Sequence, residues 1–152
     1  MSPVLPVVLP LSLIVVLGAI ALLHGYWGTG GRWPARDEAT LSALVIGRTP
    51  GRRMPSSAAC FGVCLAILAG VGLTAAVSFA PLPRPLGGLV LIAYGVFTAV
   101  FLLRGAAGFV PRIWRRSAGT PFARLNTRYY SPLCLLLGAG LALNAVWRTP
   151  TL

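Results

Sequence analysis

Four long uncharged apolar runs dominate this chain, and few folds can accommodate them. They cover approximately residues 5–26, 57–79, 86–103 and 132–147, and apart from His24 none contains an acidic or basic side chain. A helix needs about 20 residues to cross a hydrocarbon core of about 30 Å, and each run approaches or exceeds that length. In lipid a backbone must satisfy its own polar groups, which a helix does within one segment. The sequence therefore predicts an all-α fold, an integral membrane four-helix bundle with two cytoplasmic Arg-rich loops. Residues 1–152 form one transmembrane domain in this reading. Composition points the same way, because only 10% of the residues are charged, against about 25% in soluble proteins. A water-soluble fold of this size could not cover its surface with so little charge.

Pro3, Pro6 and Pro10 crowd the first run, close to the first helical turn, which tolerates proline best. No basic segment precedes that run, and it is longer than the apolar part of an ordinary leader, so it is read as a retained helix.

The charge is lopsided: thirteen arginines, no lysine, and Asp37 and Glu38 as the acids. With four crossings, the termini and the loop between the second and third runs share one face, which holds Arg84 and Arg148. The opposite face holds Arg32, Arg36, Arg48, Arg52, Arg53, Arg104, Arg112, Arg115, Arg116, Arg124 and Arg128. Arginine-rich loops stay inside, so both termini are expected outside a bacterial cytoplasmic membrane. In a soluble chain this balance would suggest nucleic acid. Here the expected partners are anionic lipid headgroups and another membrane subunit, not nucleic acid.

Two short loop segments are expected at the interface. Residues 39–46 follow Asp37 and Glu38 as a helix start would, and are too short to span, giving an interfacial helix or re-entrant turn. Residues 113–116 are expected along the headgroups, with Trp114 at the interface.

Small residues recur every four positions along the second run: Ala58, Gly62, Ala66, Gly70, Thr74 and Ser78. Small residues let membrane helices approach closely, so Gly62, Ala66, Gly70 and Thr74 are assigned to the bundle interior. Tyr94 and Thr98 share one face of the third run, and Asn144 lies near the outer end of the fourth. No ionisable group falls at the bilayer centre, which argues against a proton relay or charge-coupled transport.

Catalytic signatures are missing. There is no phosphate-binding glycine loop and no nucleotide fingerprint. One histidine excludes bis-histidine haem, and the three cysteines have no zinc-type spacing. Metal ligation at His24 would need cysteine or methionine help from remote positions, so no metal and no cofactor are expected. The topology does bring His24, Tyr26, Trp27, Arg104, Arg124, Asn126, Arg128 and Tyr130 to one depth at the cytoplasmic edge. Cys60 and Cys134 fall at that level too. These residues are either an aromatic and arginine anchor or a headgroup-level pocket.

The stretch His24-Gly25-Tyr26-Trp27 with Gly30-Gly31, the closing Arg104, and residues 120–135 (TPFARLNTRYYSPLCL) together resemble a family of small bacterial four-helix membrane proteins, catalogued as domain of unknown function 3995. The resemblance implies four helices and no assigned activity. It also implies aspartate where Asn126 stands and an acid near Gly108; their loss either frees an arginine to meet a lipid phosphate or marks a degraded site. Two readings follow: a non-enzymatic accessory subunit or binder of an anionic lipid or amphiphile, or a membrane enzyme or redox protein using His24 with cysteine or tyrosine. A small transporter is the weaker third.

Overall fold

The computed structural model describes residues 5–47, 53–81 and 83–148, so Pro3, Arg48 and Arg52 lie outside the described residues. The elements are α1 (Leu5–Gly28), α2 (Glu38–Val45), α3 (Ser57–Phe79), α4 (Arg84–Ala107), α5 (Pro121–Leu125) and α6 (Ser131–Arg148). Four are long and apolar enough to cross a membrane, with α5 and α6 running on as one 28-residue helix. No strand occurs among the described residues.

The long helices pack in a ring, α1 on α3, α3 on α4, α4 on α6 and α6 on α1, leaving α1 and α4 on opposite corners. The tightest pairs are α1 with α3 and α4 with α6. Glycines set the second of these. A Cβ on Gly138 would meet Leu102 at 2.6 Å, and one on Gly105 would meet Leu135 at 2.7 Å. Leu13, Leu17, Ile67, Tyr94, Leu137 and Leu141 fill the centre. The outer faces are equally apolar: Val15, Leu22, Leu65, Ile92, Leu103 and Leu136 are all more than 60% exposed. Water would not tolerate that coat; acyl chains would.

The small-residue row on α3 enters the interior over only half its length. Gly70, Thr74 and Ser78 are buried, while Ala58, Gly62 and Ala66 are exposed, and a Cβ on Gly62 would meet nothing. The cause is helical phase. Each four-residue step advances about 40° around an α-helix, so the six positions wind through roughly 200°. One row cannot face one neighbour for six turns.

Two prolines are accommodated in different ways. Pro10 lies inside α1 and gives the Pro6 carbonyl no i→i−4 amide. The Arg148 guanidinium at the end of α6 donates to that carbonyl at 2.8 Å. Pro132 follows a π-turn at residues Asn126–Tyr130. Its ring would press on the Arg128 carbonyl in a regular helix, and a widened turn removes that clash. The helix therefore begins at Pro121, well before the start near residue 132 that hydropathy predicts.

The first loop folds as the acids suggest. Asp37 caps α2, accepting from the Thr40 amide at 2.8 Å and from the Thr40 hydroxyl at 2.9 Å. Glu38 reaches across the loop and accepts from the Met54 amide at 2.9 Å.

Candidate functional site

Five of the residues expected at one depth, His24, Trp27, Arg104, Asn126 and Tyr130, fall into two separate clusters. The first lies where α1 ends against the start of α3. His24 Nδ1 donates to the Ile20 carbonyl at 2.8 Å, and its ring meets Trp27 edge-on at 5.1 Å. The Trp27 indole donates to the Trp33 carbonyl at 2.8 Å, which folds the chain back after α1. His24, Trp27, Met54 and Cys60 share the wall of a cavity of about 190 Å³. Tyr26 turns the other way: its ring covers Gly31 and, with Trp33, edges an apolar groove along α1.

The second cluster is built where α4 meets the π-turn. Arg104 Nη2 donates to Asn126 Oδ1 at 2.8 Å, and its guanidinium lies 4.8 Å from the centre of the Trp114 ring. Asn126 is 1% exposed. Its amide donates to the Gly108 carbonyl at 3.3 Å, and the Ser131 hydroxyl donates to its Oδ1 at 3.3 Å. Gly108 is required here, because a Cβ would collide with Ser131. Trp114, the residue read as interfacial, is half-buried at the end of α4 and donates to the Ala107 carbonyl at 2.7 Å. A stack continues from Trp114 to Phe122 at 5.2 Å and on to Tyr130 at 6.0 Å. The Tyr130 hydroxyl reaches the Leu44 carbonyl at 3.3 Å, which ties α2 to the π-turn.

The charge on Arg104 has no acid to meet. Its Nη1 is buried with no hydrogen-bond partner among the described residues. Asp37 is engaged by Thr40 and Glu38 by Met54. A guanidinium held by a neutral amide, with one edge unsatisfied, keeps its full attraction for an anion. Its contacts Trp114 and Asn126, with Arg115 and Thr127 but not Arg104 itself, line a cavity of about 500 Å³.

Arg124 and Arg128 belong to neither cluster. Both are exposed, and Arg128 lies over the Tyr129 ring at 5.5 Å. They stand two residues either side of Asn126, which on a helix is the opposite face. Cys134 lies within electrostatic reach of Arg104, whereas Cys60 belongs to the His24 cavity. Nothing in the sequence singles out Met54, and Ser131 stands there only as one member of the stretch before the last helix. The one usable signal was that Met54 is the only methionine beyond the first residue.

A bundle of four long helices with a predominantly apolar outer coat and polar clusters towards its ends is a multi-pass membrane protein. The chain belongs to the family described as protein of unknown function (DUF3995), which it matches over residues 17–141. That range contains both clusters. No curated protein and no solved structure matches the chain.

Proposed function

We propose that this protein is a non-enzymatic binder of an anionic amphiphile, in a bacterial cytoplasmic membrane, with the Arg104 cluster as its headgroup site. One observation carries the reading: a half-buried guanidinium whose neutral partner, Asn126, leaves its charge uncompensated. The neighbouring cavity offers Arg115 and Thr127 as further donors and Trp114 as an apolar wall. Arginine rather than lysine suits a phosphate or carboxylate, because its planar fork binds two oxygens at once. The arginine count by face supports placing this end in the cytoplasm and both termini outside. An accessory role beside another subunit would use the same exposed apolar helix faces.

The test is native mass spectrometry of protein extracted gently from its own membrane, in parent and variant forms. The parent should retain an anionic lipid or amphiphile of defined mass. Arg104→Ala should lose it by removing the charge. Asn126→Asp should lose it by supplying an internal counter-ion, while inserting normally. Equal retention in all three proteins would remove Arg104 from the reading.

A further inference from the structure

The cavity between α1 and α3 carries a donor set that anion binding does not use. Its wall brings together His24, Met54 and Cys60, residues separated in sequence by 30 and 6 positions. His24 and Cys60 are presented as ligands would be, and Met54 stands on the same wall. A carbonyl can only accept, so the contact to Ile20 fixes the His24 proton on Nδ1 and leaves the neutral ring's Nε2 as a lone pair. Metal-binding imidazoles are held in the same way, the remote N–H donating to a carbonyl or carboxylate. The Cys60 thiol is free of any disulfide and, among the described residues, makes a long contact of 3.9 Å to the Pro55 carbonyl. Met54 is anchored at the cavity by Glu38, which grips its amide from α2.

We infer that His24 Nε2, Met54 Sδ and Cys60 Sγ form a binding site for monovalent copper. Thioether and thiolate sulfur are soft donors that select Cu(I), and imidazole suits copper as well. Charge supports the same ion. Cu(I) with one thiolate is neutral, which suits a cavity whose other walls include Val45, Ile46 and Val63. No carboxylate lines the cavity, so a divalent ion would keep a net positive charge there, at a desolvation cost. Binding breaks the Cys60 S–H bond and forms an S–Cu bond. The proton leaves to solvent and the copper stays in its +1 state.

The experiment uses the full chain in lipid nanodiscs, titrated anaerobically with Cu(I) against a chromophoric Cu(I) chelator. One Cu(I) per chain is expected, with X-ray absorption showing a mixed sulfur and nitrogen shell. Cys60→Ser, His24→Ala and the volume-conserving Met54→Leu should each weaken retention about tenfold or more. Cys134→Ser and Arg104→Ala should leave it unchanged, so failure of the anion reading stays separable. Helical circular dichroism checks each fold, and Met54→Leu keeps the test sharp if His24→Ala misfolds. Three results would overturn the site: equal retention in Met54→Leu and the parent, loss of copper in Cys134→Ser, or equal competition by Zn(II).

Discussion

Inside the bundle, side-chain polarity is spent on joining helices. Asn144 of α6 donates to the Ser78 hydroxyl of α3 and to the Tyr94 hydroxyl of α4, both at 3.1 Å, and all three residues are buried. Thr74 and Thr98 instead return their hydroxyls to the carbonyls four residues back, at 2.8 Å each, although the Thr74 side chain also meets the Tyr94 hydroxyl. One amide therefore ties three of the four long helices. Lipid tails compete well with apolar packing, and interhelical hydrogen bonds in membranes contribute about 0.6 kcal/mol on average and up to roughly 1.7 kcal/mol. Asn144→Leu breaks two such bonds and leaves a phenol and a hydroxyl without that partner. It should lower stability by about 1–2 kcal/mol in a reversible unfolding titration in mixed micelles. A neutral result would mean that Ser78 and Tyr94 find other partners when Asn144 is gone. Arg104 is the contrasting case, since its hydrogen bonds stop short of satisfying it, and that shortfall is why function is placed there.

At the level of elements, the apolar runs locate the four long helices because hydropathy reports directly on what lipid accepts. Their ends are less legible. The turn preceding α6 is polar, so only the demands of Pro132 and the Asn126–Gly108 contact reveal that the helix starts at Pro121. Sequence also places His24 and Arg104 at one depth, but depth says nothing about position around the ring. With α1 and α4 on opposite corners, His24 lines one cavity while Arg104 contacts Trp114 and Asn126, which line another. Met54 was illegible for another reason: it reaches the His24 cavity from a loop, where Glu38 holds its amide from sixteen residues away. The cap that starts α2 has a measurable pH dependence. The Thr40 amide and hydroxyl hold the Asp37 carboxyl below its usual value, with Arg32 assisting. A depressed folded value means the cap contributes fully above the ordinary carboxylate range and is lost as pH falls through the depressed value. The Thr40 amide resonance should therefore titrate with a midpoint below that of an unstructured aspartate. A midpoint at or above that value would show that the cap does not form in the membrane.

For the whole molecule, the question is what closes the ring between its first and last helices. Packing there is lighter than within the α1–α3 and α4–α6 pairs, although Gly140 lets Leu13 approach to 3.1 Å of where a Cβ would stand. The Arg148–Pro6 hydrogen bond spans 142 residues and sits at the rim of that seam. Its acceptor is available because Pro10 supplies no amide to it, so one proline and one arginine act as a pair. This can be tested by a double-mutant cycle. Arg148→Ala alone removes a charge-assisted bond and should cost roughly 1.5–3 kcal/mol. Pro10→Ala restores an amide four residues after Pro6, which can close the helical bond itself. In that background the Arg148→Ala cost should shrink, giving a coupling of about 1 kcal/mol or more between sites that would otherwise add. Strict additivity, within roughly 0.5 kcal/mol, would separate the two residues and leave side-chain packing as what holds α6 against α1. A coupling of the expected sign would mean that the proline interrupting α1 creates the acceptor by which the last helix closes the bundle.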